Sequence, residues 1–213
     1  NPNIKLRARK DGRGDLWSKN AIPACNPGVV TPFTLDIAYS DTVCDLCANV
    51  IRVGFPYNRT FKIIIRPYYV IQNDLDYPIQ VTFCRKPPQT LQPKETSVVL
   101  ERPQDELLSL TAYFPEASRP TPKIYPQQPT ELFIKTFSFQ VHPYVKVDIQ
   151  QHHSALWTHF VVAESPPFLI RNKCMNRQAE VYQAGEPDAE HYILGPQSQT
   201  DFVFDNPLLS PQV

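Results

Sequence analysis

Residues 61–85 read FKIIIRPYYVIQNDLDYPIQVTFCR: two apolar runs divided by a short polar segment, with Asn73 at the break. Ile63–Ile65 and Tyr68–Ile71 are β-branched or aromatic, Asn73, Asp74 and Asp76 suit a turn, and Ile79–Phe83 returns to strand-forming residues. Pro67 and Pro78 lack an amide donor, which places them at strand beginnings, edges or bulges rather than inside a fully paired ladder. The pattern predicts a β-hairpin or a pair of neighbouring strands.

A shortened copy follows 99 residues later: Tyr69-Val70-Ile71-Gln72-Asn73 lies over Phe168-Leu169-Ile170-Arg171-Asn172. With one residue inserted in the second copy, Ile79 and Val81 fall on Ala179 and Val181. A second echo pairs Pro27-GVVTP-Phe33-TL-Asp36 with Pro196-QSQTD-Phe202-VF-Asp205, and a third pairs Trp17-Ser18-Lys19 with Trp157-Thr158-His159. Together they predict an all-β fold of tandem β-sandwich-like repeats with inserts of unequal length.

Composition supports this class. The 213 residues are 42 % hydrophobic and 20 % charged, enough to bury a core. Prolines number 23 against 6 glycines, which opposes long helices and favours short strands joined by stiff loops. The densest proline stretch, PEASRPTPKIYPQQPT at 115–130, is predicted to be an extended linker or long surface loop. Beyond it, Val145, Val147 and Ile149 alternate with Lys146, Asp148 and Gln150, a half-buried strand. The segment 106–113 is also read as strand. Lysine plus arginine balances aspartate plus glutamate at 21 each, so no global field attracts nucleic acid or an anionic membrane. Five cysteines form no regular framework and suit the reduced thiols of a cytosolic compartment. No apolar run approaches the ~18 residues of a bilayer span. Asn58-Arg59-Thr60 is a formal glycosylation sequon without a secretory context.

Chemistry-bearing patterns are sparse. Cys44 and Cys47 form Cys-x-x-Cys, but Cys25, Cys84 and Cys174 supply no second pair for zinc, and the residues that follow do not give the helix start a redox motif needs. His152 and His153 are adjacent, so on a strand they face opposite sides. No glycine-rich phosphate loop is present, and Ser18, Ser154 and Ser165 lack a nucleophile-elbow context. Neither an enzyme nor a cofactor is expected. The repeated Asn73 and Asn172 have two readings. Asparagine offers an acceptor and two donors, so it either ties a strand end to a neighbouring loop or faces a groove and bonds the main chain of a peptide. Open strand edges and aromatics such as Tyr68 and Tyr69 suit a peptide that adds to a sheet.

PYYVIQNDLDYPIQV, PFLIRNKCMNRQAEVYQ, DLWSK and LGPQSQTDFVFDNPLL resemble the repeats of the adaptor-binding domain, also called SHORT-ROOT-binding-like, of the vacuolar protein sorting 13 family of bridge-like lipid transfer proteins. The family pattern is a hydrophobic strand ending in Asn, a proline-initiated turn, Phe-x-aromatic-Asp-x-Pro, then Trp-Ser. Asn73 and Asn172 fit the first element, Phe202-Val203-Phe204-Asp205-Asn206-Pro207 fits the third closely, and Trp17-Ser18-Lys19 fits the last; the third is missing from the central copy. On this resemblance residues 1–60 are the end of one repeat, 61–165 a whole repeat and 166–213 the start of another. It implies a non-catalytic module that binds short Pro-x-Pro segments of membrane-anchored organelle adaptors, with no nucleic-acid partner. The module would be cytoplasmic, peripheral at organelle membranes and contact sites, and would reach membranes only through adaptors and the rest of its parent protein. The implied binding or repeat-joint residues are Asn73, Asn172, Tyr68, Tyr69 and Phe168. Two other expectations compete: a structural β-repeat spacer without peptide binding, and a small cysteine or zinc domain using Cys44 and Cys47.

Overall fold

The computed structural model describes residues 3–4, 7–9, 15–17, 22–23, 27–28, 30–36, 41–57, 59–138, 140–187 and 189–208. Ser18 and Lys19 of the third echo, Cys25 and the sequon residue Asn58 lie outside them. Every regular element among the described residues is a strand.

In the first unit, β1 (Asn3–Ile4) pairs with β4 (Ile22–Pro23), and β2 (Arg7–Arg9) with β3 (Asp15–Trp17). An antiparallel meander follows: β5 (Val30–Asp36), β6 (Thr42–Arg52) and β7 (Phe61–Pro67).

The central unit is a two-layer sandwich. Its strands are β8 (Tyr69–Asn73), β9 (Ile79–Phe83), β10 (Gln89–Leu91), β11 (Thr96–Val99), β12 (Glu101–Pro103), β13 (Leu110–Tyr113), β14 (Thr130–Lys135), β15 (Tyr144–His152) and β16 (Ala155–Val162). One layer runs β11-β8-β16-β15-β14, the other β10-β9-β13, and β12 leaves to pair with β6 of the first unit. β8 and β16 run parallel, so the last strand of the unit closes against its first. The alternation of β15 turns Val145, Val147 and Ile149 inward, against Ile134, Phe160, Ile71, Val81 and Leu110 of one continuous core. Truncating a wholly buried ring such as Phe160 to alanine costs about 3–5 kcal/mol at such a site.

The last unit repeats the beginning of the central one. β17 (Phe168–Arg171) pairs with β20 (Gln199–Phe202), as β8 does with β11; β18 (Ala179–Val181) pairs with β19 (Tyr192–Leu194), as β9 does with β10.

Three sequence expectations change. The stretch at 61–85 is neither a hairpin nor a pair of neighbouring strands: β7 bonds β6, β8 bonds β11 and β16, and β9 bonds β10 and β13. Ile71 on β8 and Ile79 and Val81 on β9 all face the shared core, so the chain crosses between layers at 74–78. Leu75 fills the crossing with no exposed surface. The loop at 115–130 is also more than a linker. Ile124, Thr121 and Ala117 are buried. Thr121 donates its amide to Ala112 O (2.8 Å) and accepts the Ala112 amide on Oγ1 (2.9 Å), and Leu110 and Ile124 exchange amide bonds of 2.9 and 2.8 Å. The loop therefore covers the outer edge of β13, whose backbone groups otherwise have no partner strand. The strand read at 106–113 begins only at Leu110.

Candidate functional site

Asn73 ends β8 with its side chain wholly buried. Nδ2 donates to Tyr77 O (2.9 Å), Leu91 O (3.1 Å) and Gln92 O (3.2 Å), and Oδ1 accepts the Leu75 amide (3.1 Å). Asn172 ends β17 in the same way: Nδ2 donates to Arg177 O (2.8 Å), Leu194 O (3.1 Å) and Gly195 O (2.9 Å), and Oδ1 accepts the Cys174 amide (3.0 Å). The extra residue that sequence comparison inserted in the second copy is the one between Asn172 and Arg177.

Each asparagine thus ties one layer to the other. It clamps the crossing that follows its own strand and grips the turn after the third strand. That turn is also repeated. Glu95 donates its amide to Gln92 O (3.0 Å) and Ser198 to Gly195 O (3.3 Å), around Pro93-Lys94 and Pro196-Gln197. Lys94 and Gln197 have φ of 64° and 55°, and Gly28, after Pro27 in the first unit, has 85°. Proline at the second position and a left-handed third residue define a type II turn in the two later copies.

The other residues named from sequence lie apart from one another. Tyr68 and Tyr69 meet edge to face at 4.8 Å and are half-buried where the first unit packs on the sandwich; the Tyr68 amide donates to Asp45 O (3.1 Å). Burial, with Asp45 and Tyr68 nearby, pushes the Tyr69 phenol up to about 12. Phe168 is half-exposed against Phe204 at 5.2 Å. Cys44 and Cys47 stand on β6 three positions apart, where strand alternation sends them to opposite faces, and they join different apolar clusters. Burial raises the Cys47 thiol, which lies over the carbonyls of Arg66 and Pro67. Among the described residues no three His, Cys, Asp or Glu side chains gather as metal ligands.

What sequence reading missed is the junction between the central and last units. Lys135, at the end of β14, is buried and bonds Asp205 (2.9 Å) and Glu190 (3.1 Å), with the Tyr192 ring 4.7 Å from its ammonium. Burial pulls the ammonium pKa down, but bonds to Tyr192 and Asp205 outweigh it and hold Lys135 above the usual lysine value. Glu190 is depressed for the converse reason: bonds from Tyr192 and Lys135 overcome the effect of burial. A groove of about 530 Å³ opens beside this pair. Its walls are Ser118 and Arg119 of the proline-rich loop, Phe137, Ser138, Pro143 and Tyr144 around the β14–β15 connection, and Glu190, Tyr192, Asp201 and Val203 of the last unit. The Arg119 guanidinium lies 4.1 Å over the Phe137 ring. No local pattern announced this groove, because its walls come from three separate segments.

The family model of the adaptor-binding domain of vacuolar-sorting associated protein 13 matches residues 5–210. The chain belongs to this family. A search of the curated proteins gives no match. This adaptor-binding domain is a non-catalytic, all-β interaction module. No helix among its described residues is long and apolar enough to cross a membrane.

Proposed function

We propose that this adaptor-binding domain holds short Pro-x-Pro segments of membrane-anchored organelle adaptors in the groove between its central and last units, and so directs a bridge-like lipid transfer protein to organelle contact sites. The carrying observation is the groove lining: Phe137, Pro143, Tyr144 and Tyr192 offer ring faces, while Arg119, Glu190 and Asp201 supply polar groups around them. An extended proline-containing segment is already ordered before it binds and has few amide donors of its own, so ring faces with scattered polar partners suit it. The domain accommodates such a segment within its own chain, where Thr121, between Pro120 and Pro122, makes both backbone-directed bonds to Ala112.

Asn73 and Asn172 serve this function as joints. Asn172 bonds the carbonyls of Leu194 and Gly195 and thereby fixes the end of β19, the strand that carries Tyr192 into the groove. Tyr68, Tyr69 and Phe168 support unit packing in this reading.

The test is titration of labelled Pro-x-Pro peptides from organelle adaptors against the domain and its Tyr144→Ala, Asn73→Ala and Asn172→Ala variants, with folding checked by circular dichroism. Saturable binding weakened about tenfold by Tyr144→Ala in a folded protein is the expected result. No saturable binding by any peptide returns the domain to a spacer between other functional parts.

A further inference from the structure

We infer that the hairpin of β6 and β7 is a prong that enters the headgroup layer of an anionic membrane. Its end is apolar and open to solvent: Phe55 is 93 % and Tyr57 65 % exposed, with Phe61 39 % exposed just behind them. Aromatic rings so exposed normally find a partner. The end is not a slack loop. Val53 donates its amide to Thr60 O (3.0 Å), Tyr57 to Gly54 O (2.9 Å) and Thr60 to Tyr57 O (2.8 Å), so the turn presents its rings from a hydrogen-bonded frame.

Charge identifies the occupant. The chain as a whole is neutral, yet between Asp45 and Asp74 it contains four cations and no carboxylate: Arg52, Arg59, Lys62 and Arg66. The first three are exposed and form no ion pair with a described residue. Cross-strand pairing sets Arg52 opposite Phe61 and Lys62 opposite Ile51, so the two cations project from opposite faces of the hairpin. A flat protein or nucleic-acid surface would meet one face. Cations on both faces behind an aromatic end suit a prong surrounded by lipid headgroups. Rings at the interface and basic side chains among anionic headgroups are the two signals such binding needs. The Arg52–Phe61 pair stands about three residues behind the turn, roughly 10 Å along a strand, which matches the ~5–10 Å depth reached by interfacial segments. Membrane contact would then not depend on adaptors alone.

Protein-free vesicles test this apart from any adaptor peptide. The 213-residue domain is floated with phosphatidylcholine vesicles and with phosphatidylcholine–phosphatidylserine vesicles, beside Phe55→Ser/Tyr57→Ser and Arg52→Gln/Lys62→Gln variants whose melting is checked. Expected are binding to the anionic vesicles alone, weakening about fivefold for each cation removed, and a loss of about tenfold or more in the aromatic variant. As the substituted side chains are solvent-exposed, unchanged melting is expected. Equal flotation with neutral vesicles, no flotation with anionic ones, or undiminished binding by a folded aromatic variant overturns the inference. So does hairpin-dependent capture of polyglutamate or DNA that anionic vesicles fail to compete away.

Discussion

Arg102 and Asp205 stand at the same register position of consecutive units and carry opposite charges. Val99 pairs with Tyr69 and Phe202 with Phe168, each partner four residues before its unit's asparagine, and three residues further on come Arg102 and Asp205. Each reaches into the unit before it and meets a buried group of opposite sign. Arg102 grips Asp45 with bonds of 2.6 and 3.2 Å, and Asp205 meets Lys135 at 2.9 Å. Burial raises the Asp45 carboxyl and the Arg102 bond offsets it only in part, so that pair depends on its partner remaining in place. Asp205→Arg sets two cations together in a dry junction and is expected to cost about 3–5 kcal/mol. Arg102→Asp against Asp45 is expected to cost a similar amount. Lys135→Asp combined with Asp205→Arg should recover part of the loss, a coupling that urea unfolding of the four-member cycle measures.

Asn73→Ala leaves the Leu75 amide and three carbonyls without this partner, with the Leu75 amide and the Leu91 carbonyl fully buried. A loss of roughly 2–4 kcal/mol in urea unfolding is expected. Asn73→Asp is the sharper variant. It keeps the shape and the acceptor but turns a carboxylate toward the carbonyls of Tyr77, Leu91 and Gln92, so it should destabilise at least as much as alanine. Asn172→Asp should behave likewise.

Stability should fall steeply in alkali. Burial pushes the Tyr69 and Tyr77 phenols from 10 up to about 12. Above pH 10 the unfolded chain releases phenolic protons that the folded one keeps, so this contribution is whole below 10 and lost as pH rises through about 12. Lys135, also raised, acts in the same direction: its contribution is present below the unfolded lysine value and lost above the folded one. Melting temperature measured upward from neutral pH checks this. The Tyr77 hydroxyl is buried without a hydrogen-bond partner among the described residues, so Tyr77→Phe should flatten the alkaline slope and raise neutral stability by about 1 kcal/mol.

Thr121→Val keeps the shape of the side chain but removes the acceptor for the Ala112 amide. Hydrogen exchange should show that amide losing protection, with about 1–3 kcal/mol lost in global stability. Unchanged exchange at Ala112 would mean that the proline-rich loop does not protect the sheet edge.

The strand pattern was legible wherever one face is buried, as in the alternation of Val145, Val147 and Ile149. The repeat was legible because Asn73 and Asn172 each serve a fixed set of carbonyls, which few other side chains can do. The central copy of its proline turn was passed over, since Gln92-Pro93-Lys94 reads as any loop until the left-handed Lys94 is seen beside Gln197. Layer assignment was not legible. A strand alternates in the same way whether its neighbour in sequence lies beside it or across the core, so β8 and β9 read as a hairpin. The burial of Ile124 inside a proline-rich stretch and the Lys135–Asp205 pair, 70 residues apart, left no local signal. The groove inherits that obscurity from its walls.

β12 pairs not within its own sandwich but with β6, where Glu101, Arg102 and Pro103 stand opposite Cys44, Val43 and Thr42. The boundary of a repeat in sequence is therefore not a boundary in folding, since the central unit lends a strand to complete the one before it. A chain interrupted after β7 would display β6 with a naked edge and a buried carboxylate lacking its guanidinium, the features by which incomplete β proteins aggregate or are removed by proteolysis. Shortened forms of such a protein would then be scarce in the cell before any question of adaptor affinity arose.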